Sequence, residues 1–259
     1  MSQIGPILAP RGNQTKEEES ASETVSLIKQ LRKTSTNTPN KTVKEFVKEY
    51  EDTTPGYVQH PVGMTVQWSA APGVGLNADL YNSPADWVSP SNSSSEDFSS
   101  NPPEATGAKV IIPDTDHLDP RPQDYTWVWK SFARGLNPIL LDDLTVDPVR
   151  ELIRRALGNT LHYANKMNLS VMTPQGNASS TGYALVSPGS EYLIYQPNSG
   201  QFTIQLAAGQ YAFEWFHPSD SAIASTGTTD GGSQLFTPPF SGDAVLYLKS
   251  FATAPSSPS

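Results

Sequence analysis

The chain has 259 residues and a formal net charge of −9 at pH 7, and it contains no cysteine. Residues 1–50 carry 8 basic and 6 acidic side chains, which leaves 9 basic and 20 acidic side chains in the rest of the chain. An acidic body argues against a nucleic-acid partner and suits a neutral ligand such as a sugar. The absence of cysteine excludes disulfides, thiolate metal sites and cysteine nucleophiles.

The sequence lacks the motifs of several other kinds of functional site. The chain has no Gly-x-Ser-x-Gly motif, no phosphate-binding loop and no His-Glu-x-x-His motif, so we expect no cofactor and no metal site. No apolar run reaches the ~20 residues that a membrane helix needs, so we expect no membrane partner. Residues 1–6 have no basic region followed by an apolar core, so the sequence predicts no signal peptide.

The first ordered element is expected near residue 38. Residues 1–37 are polar, charged and without periodicity, which predicts a disordered or weakly helical arm. Thr38 is expected to cap a helix with Pro39 at its first position, because the N–H that proline lacks would be unpaired there anyway. The helix is expected to bury an apolar stripe at helical spacing: Val43, Phe46, Val47 and Tyr50.

Residues 38–175 then alternate strand-like and helix-like segments. The four strand-like runs are Val62–Trp68, Ala85–Ser89, Ala108–Pro113 and Pro138–Leu141. One helix is predicted over Tyr125–Arg134, and a second begins at Pro148 after a cap at Asp147. The buried face of the second helix is expected to hold Val149, Leu152, Ile153, Ala156, Leu157 and Leu161. This alternation predicts β/α units and a mainly parallel sheet.

Residues 176–250 change to strands alone. Short runs are separated by turn residues, with no helix between them, which predicts an antiparallel β-sandwich. These runs are Tyr183–Val186, Glu191–Gln196, Phe202–Leu206, Gln210–Phe216, Ser221–Thr226, Gln234–Phe236 and Ala244–Lys249. Tyr211, Phe213 and Trp215 share one face and are expected in the core. The predicted fold class is therefore α/β plus all-β. Residues 251–259 are expected to form a flexible tail.

Polar clusters are expected where the predicted parallel strands end, and functional groups gather at such ends. The third run leads into Asp114, Asp116 and His117, and alternation places the two aspartates on one face. The fourth ends in Asp142 and Asp143, and the second ends in Asp86 and Trp87. His60 precedes the first run.

Glycoside hydrolysis needs this kind of site, because one carboxyl group protonates the leaving oxygen and a second attacks or activates water. Trp87, Trp127 and Trp129 are candidate platforms for sugar rings. The structural alternatives are capping of turns by Asp142 and Asp143, core positions for the tryptophans, and hydrogen-bonded structural histidines. A metal site at Asp114, Asp116 and His117 is a further, less favoured alternative.

Several motifs together resemble bacterial apiosidase-like glycoside hydrolases. They are His60–Thr65, Ser83–Trp87, Asp114–His117, Trp129–Gly135, Asn137–Pro138 and Met172–Gly176. In that family a (β/α)8 barrel precedes a β-sandwich that is catalogued as a collagen-binding domain. Four further segments are similar to that sandwich: Ser180–Tyr183, Glu191–Tyr195, Glu214–Phe216 and Ala244–Leu248.

The resemblance covers roughly residues 43–250 and implies the C-terminal half of such a barrel, strands five to eight, over residues 38–175, followed by the sandwich. It implies that Asp116 or Asp114 matches the strand-seven nucleophile. His60, Trp87, His117 and Trp129 are the expected substrate-binding residues. The resemblance also suggests a secreted protein.

One family feature has no counterpart here. The acid/base at the end of strand four, typically in an Asn-Glu pair, is not found upstream of Thr38. The first hypothesis is therefore a glycosidase fragment or remnant with little activity alone. The alternative is a non-catalytic binding module for polysaccharide or an extracellular-matrix ligand of collagen type. A third hypothesis has a partner chain supply the missing barrel half.

Overall fold

The computed structural model describes residues 43–66 and 75–251. The chain divides into two compact units, and the boundary lies between Gln59 and His60. The predicted arm at residues 1–37, the cap at Thr38 and most of the predicted tail lie outside the described residues. So does the end of the first strand-like run, at Gln67 and Trp68.

The first unit contains helix α1, Val43–Thr53. Phe46, Val47 and Tyr50, three residues of the predicted stripe, are half-buried. Beyond the helix the chain turns back, because the Gln59 side chain donates to the Lys48 carbonyl at 2.7 Å.

The second unit begins with a parallel three-stranded sheet in the order β1-β2-β3. Its strands are β1 Gly63–Thr65, β2 Trp87–Ser89 and β3 Val110–Ile111, and helix α2, Asn77–Asn82, lies between β1 and β2. A parallel bridge from Asp114 to Ile139 continues the sheet to the fourth predicted segment. The parallel arrangement is confirmed, although each strand is shorter than its apolar run.

Two helices follow, and both predictions are confirmed. Helix α3 spans Thr126–Ala133, and helix α4 spans Pro148–Lys166. The Asp147 carboxylate accepts the backbone N–H groups of Val149 and Arg150, at 2.8 and 3.0 Å, so it caps α4 as expected.

The buried face of α4 differs from the predicted one. The buried residues are Ile153, Ala156, Thr160 and Tyr163. Val149 and Leu161 are 45% and 61% exposed. The most apolar side chains do not set the rotation of this helix, because its buried face includes Tyr163, which packs against the antiparallel sheet described below.

The two faces of the parallel sheet differ in burial. Val88 and Ile111 lie on one face and are buried with α3 and α4 in one core. On the other face the Trp87 ring lies across Gly63, where an added Cβ would be 1.8 Å from the indole. Val110, also on this face by register, is 51% exposed. We call the side that carries Trp87 and Val110 the open face.

A six-stranded antiparallel sheet makes up the rest of the unit, in the order β4-β5-β6-β9-β7-β8. Its strands are β4 Thr173–Pro174, β5 Ala184–Ser187, β6 Glu191–Gln196, β7 Phe202–His217, β8 Ala222–Phe236 and β9 Ala244–Ser250. Short 3-10 helices at Leu169–Val171 and Gly176–Ala178 flank β4. Two pairs of predicted runs are therefore single long strands, since β7 and β8 each continue through an expected turn.

Strand β7 folds back on itself. The rings of Phe202 and Trp215 are 5.8 Å apart, although a straight strand would separate these residues by about 43 Å at ~3.3 Å per residue. The fold occurs at the register irregularity between Leu206 and Gln210. Gly231 on β8 permits it, because a Cβ there would be 2.2 Å from the Ala207 carbonyl oxygen. The first part of β7 thereby covers one face of its own sheet.

The other face of the large sheet packs on α3 and α4. Trp129 stacks on Tyr195 with ring centroids 6.1 Å apart, and Tyr163 meets Tyr247 at 5.8 Å. The second unit is thus a mixed α/β structure in which a parallel sheet and an antiparallel sheet share helices. The predicted core face of Tyr211, Phe213 and Trp215 is confirmed on the opposite side of the sheet.

Candidate functional site

The carboxyl edge of the parallel sheet brings together the ends of β2 and β3. Strand β2 ends at Ser89, whose carbonyl accepts the Val66 N–H at 3.0 Å. After β3, the chain stays in the sheet through Asp114 and then turns at residues 115–117. Side chains from both strands therefore meet at this edge.

Ser89 and His117 form the central contact of this edge. The Ser89 hydroxyl lies 3.0 Å from His117 Nδ1, and Ser89 is buried. His117 Nε2 is 3.9 Å from the Asp116 carboxylate, whose side chain is 53% exposed. We call Ser89, Asp114, Asp116 and His117 the rim site. Ser89 fixes the imidazole ring, so Nε2 and a carboxylate are presented together.

The two aspartates of the rim have different roles. Asp114 Oδ1 accepts the Asp116 N–H at 3.1 Å, which is a turn-forming contact of the side chain with the backbone two residues on. The buried Thr115 hydroxyl between them accepts the Leu141 N–H at 2.7 Å and ties the turn to the fourth segment. Asp116 is thus the more exposed carboxylate, and Asp114 supports the turn that carries it.

The carboxylates of Asp142 and Asp143 are hydrogen-bonded by arginine side chains. Arg154 bonds both carboxylate oxygens of Asp142, and Arg150 bonds Asp143. Asp143 also accepts from the Thr145 N–H and hydroxyl, at 3.1 and 2.8 Å. These contacts match the structural alternative, in which Asp142 and Asp143 stabilise the turn before α4.

The Arg154 contact makes Asp142 acid-sensitive in a testable way. Hydrogen bonding to Arg154 lowers the pKa of the Asp142 carboxyl to about 2. Because the native pKa lies below that of the unfolded chain, this contribution to stability is present above the ordinary aspartate pKa and is lost as the pH falls through the native value. We expect Arg154→Gln to return the Asp142 pKa toward its ordinary value, measured by carboxyl ¹³C NMR. Arg155→Gln is the matched control, and an Asp142 titration that stays unchanged in Arg154→Gln would contradict the assignment.

The remaining predicted residues lie away from the rim. His60 is exposed and stands before β1, at the amino end of the sheet. Asp86 also lies at that end, because it precedes β2 and its carboxylate accepts the Val62 N–H at 2.8 Å. Placing Asp86 at a carboxyl end was an error, since the strand begins only after it. Trp87 lies on the open face.

Two tryptophans proposed as sugar platforms are in the core. Trp127 and Trp129 are 1% and 0% exposed, so neither presents a ring face to a ligand. The Trp127 indole N–H donates to the Phe98 carbonyl at 2.7 Å. Both tryptophans therefore take the core positions that the sequence left open as an alternative, because helix α3 packs between the parallel and antiparallel sheets.

A cavity of about 510 Å³ opens between the two loops that leave the carboxyl ends of β2 and β3. We call it the loop cavity. It is lined by polar residues and prolines: Asn92, Ser93, Glu96, Asp97, Ser99, Ser100, Asp119, Pro120, Arg121, Pro122, Gln123, Asp124, Thr126 and Lys130. Sequence reasoning did not find it. The available signal was two long polar loops after predicted strands, where binding residues commonly occur.

The two loops of the cavity are joined by hydrogen bonds. The Pro120 carbonyl accepts from the Asn92 amide at 3.3 Å and from the Ser99 hydroxyl at 2.5 Å. The Phe98 side chain between them is fully buried and anchors the first loop. The cavity walls are therefore preformed.

Within residues 43–66 and 75–251, no group of three or more His, Cys, Asp and Glu side chains is placed to hold a metal ion. In the same ranges no helix has the length and apolarity to cross a membrane.

Comparison with known proteins gives solved structures only. No protein-family profile matches the sequence, and no curated protein matches it. Similar solved structures include a glycoside hydrolase (12% identity, TM-score 0.40, 56% of this chain and 43% of that one). A glycoside hydrolase family 5 protein from Bacteroides vulgatus ATCC 8482 has 12% identity and TM-score 0.42, covering 56% and 42% of the two chains.

A third similar structure is a Paenibacillus polymyxa xyloglucanase of glycoside hydrolase family 44 with xyloglucan. It has 10% identity and TM-score 0.33, over 57% of this chain and 33% of that one. The chain thus spans less than half the length of each of these structures. The structural neighbours are glycoside hydrolases, at low identity and partial coverage.

Proposed function

We propose that this chain is part of a carbohydrate-active protein of glycoside hydrolase type, and that the rim site meets the carbohydrate. The observation that carries the proposal is the contact of Ser89 with His117 beside the exposed Asp116, at the carboxyl edge of a parallel sheet. Functional groups of β/α folds gather at this edge. A carboxylate accepts hydrogen bonds from sugar hydroxyls, and an imidazole N–H donates hydrogen bonds to them.

We further infer that the parallel sheet is half of a (β/α)8-like barrel and that the antiparallel sheet is a β-sandwich. The open face supports the first inference, because parallel sheets are normally covered on both sides, whereas Val110 and Ile139 are 51% and 47% exposed. Further strands, from this protein or from a partner chain, would turn that face into a barrel interior. The fold-back of β7 supports the second, because it places two layers of strands around one core.

The rim site offers one exposed carboxylate of the two that a two-carboxylate mechanism needs. Hydrolysis requires a proton donor and a second carboxylate across the sugar ring. Asp116 is available, whereas Asp114 holds a backbone N–H and Asp142 is bonded by Arg154. Losing one member of a cooperating pair removes most of the acceleration. We therefore propose that the rim binds sugar and that turnover requires a second carboxyl group from outside the rim site.

The test compares the chain with its Asp116→Ala variant on a panel of 4-nitrophenyl glycosides and in sugar binding by calorimetry. We expect both proteins to release nitrophenol at the background rate, while Asp116→Ala binds sugar about tenfold more weakly, because a good hydrogen bond to a charged group contributes roughly 1.5 kcal/mol. Asp230→Ala, which removes an exposed carboxylate on β8, serves as the matched control. Rapid hydrolysis that Asp116→Ala abolishes would show that the mechanism is complete, and sugar affinity equal in both proteins would refute the rim site.

A second candidate is a non-catalytic binding module in the antiparallel sheet, with polysaccharide or an extracellular-matrix ligand. It is favoured by β8, which pairs with β7 and with no other described strand, although it is 15 residues long. Asp230 is its one charged side chain, and it contains no proline, so the edge lacks the usual protection against strand addition. Sugar binding that survives Asp116→Ala but is lost on Thr226→Lys or Thr228→Lys would favour this candidate.

A further inference from the structure

We propose that the loop cavity is itself a binding site for a neutral polyhydroxylated ligand, such as a monosaccharide or a sugar-chain end, held at Asp119 and Arg121. This inference rests on the carbohydrate function proposed above and adds a second location that contains none of the rim residues. The cavity volume of about 510 Å³ lies within the roughly 300–1,000 Å³ typical of small-molecule sites.

Most charged groups around the cavity are already used by the protein. Glu96 accepts from the Asn77 amide and the Tyr81 hydroxyl, both at 2.8 Å. Asp97 accepts the N–H groups of Ser99 and Ser100, each at 2.9 Å. These contacts build the wall and leave little of either carboxylate for a ligand.

The far side of the cavity is fixed in the same way. Asp124 accepts the Thr126 N–H at 2.8 Å and its hydroxyl at 2.5 Å, and Lys130 donates to the Ser100 carbonyl at 3.1 Å. Preformed walls reduce the entropy cost of ordering the site around a ligand.

Asp119 and Arg121 differ from these residues. Within the described ranges, neither side chain makes a hydrogen bond or ion pair, although both line the cavity and both are exposed. A carboxylate accepts hydrogen bonds through two oxygens, and a guanidinium offers five donors in a planar fork. A ligand that meets both must present hydrogen-bond donors to Asp119 and acceptors to Arg121.

Vicinal hydroxyl groups satisfy this requirement, because each hydroxyl both donates and accepts. An anion would face the carboxylates of Glu96, Asp97, Asp119 and Asp124 across the cavity, and a cation would leave Arg121 without a partner. The lining contains no aromatic residue, so a sugar would be held by its hydroxyl edges and not by stacking on its face.

The test is a ¹⁵N–¹H NMR titration of the whole chain with D-glucose, D-xylose, D-galactose and, as the anionic arm, D-glucuronate. We expect saturable shifts at the backbone N–H groups of the non-proline residues in 93–100 and 119–130 with at least one neutral sugar, and weaker binding of glucuronate. Asp119→Asn and Arg121→Gln should each raise the dissociation constant at least tenfold. Both side chains are exposed, so both variants should fold, which unchanged circular dichroism will verify. Asp230→Asn is the control and should bind as the unaltered chain does.

Asp116→Asn separates this proposal from the rim site. Binding that is lost in Asp116→Asn but kept in Asp119→Asn and Arg121→Gln would overturn the cavity proposal and leave the rim proposal standing. Saturable shifts at the cavity amides that survive Asp116→Asn and fall in the two cavity variants would establish the cavity, whatever happens at the rim. The absence of saturable shifts at residues 93–100 and 119–130 with all four probes would also overturn the cavity proposal.

Discussion

Trp129→Ala should lower the free energy of unfolding by about 3–5 kcal/mol, the cost typical of removing a large buried aromatic side chain. Trp129 is fully buried on α3, and its ring meets those of Tyr163, Tyr195 and Phe216 at centroid distances of 6.0, 6.1 and 5.8 Å. The ring therefore joins a helix to the antiparallel sheet. Its indole N–H has no hydrogen-bond partner among the described residues, so the loss is one of packing.

Urea unfolding followed by circular dichroism measures this loss, with Trp87→Ala as the matched control. Trp87 is half-buried and lies on the open face across Gly63, so its removal exposes little additional core. We expect the control to lose less than half as much as Trp129→Ala. Equal losses would mean that the open face is packed against something in solution and that Trp129 is not the central contact of the core.

Asp243→Ala should cost about 2–4 kcal/mol, since each buried polar group left unpaired costs roughly 1–3 kcal/mol. The buried Asp243 carboxylate accepts the Tyr125 hydroxyl at 2.7 Å and the Tyr195 hydroxyl at 3.0 Å. Tyr125 stands at the start of α3 and Tyr195 on β6, so one carboxylate ties the helix to the sheet. Removing it would leave two hydroxyls without an acceptor.

A triple variant distinguishes an unpaired-hydroxyl penalty from a loss of packing. Adding Tyr125→Phe and Tyr195→Phe to Asp243→Ala removes the orphaned hydroxyls, so we expect part of the stability to return. Asp230→Ala, in which the lost carboxylate is exposed, should change stability by no more than about 0.5 kcal/mol. If the stability loss of the triple variant equals the sum of the losses from its three single substitutions, the hydrogen-bond network of Asp243, Tyr125 and Tyr195 is contradicted.

Asp243 should also make the free energy of unfolding depend on pH. Burial raises the pKa of the Asp243 carboxyl above its ordinary value, although the two tyrosine hydrogen bonds oppose the shift. The native state therefore holds this proton more strongly than the unfolded chain, and the resulting stability is full below about pH 3.9 and is lost as the pH rises through the native pKa. Asp243→Asn does not titrate, so its unfolding free energy should fall less over that window.

The sequence was sufficient to predict the helix ends that are determined by residues next to them in the chain. Asp147 and Pro148 determine the start of α4, and Gly135, with φ of 75°, follows the end of α3. The order of strands and helices also predicted a parallel sheet, because alternating β/α segments leave few other topologies. Asp114, Asp116 and His117 were found together because they are adjacent in the chain.

Contacts between distant segments required the tertiary structure. Ser89 and His117 are 28 residues apart, and no spacing rule connects the end of one strand to the turn after the next. The arginines that bond Asp142 and Asp143 come from the following helix, and Tyr163 of that helix packs against the antiparallel sheet.

Burial and curvature were likewise decided by packing. The sequence left Trp129 open between a sugar platform and a core position, and the sheet beside it decides for the core. The fold of β7 depends on the close approach of its backbone to Gly231 on the next strand, which periodicity along one strand does not encode. The sequence by itself determined the elements, their order and the acidic turn after β3, because short-range hydrogen bonding and apolar periodicity cause them. The tertiary structure alone decided the partners of each charge, the open face and the loop cavity, because these arise from distances between segments far apart in the chain.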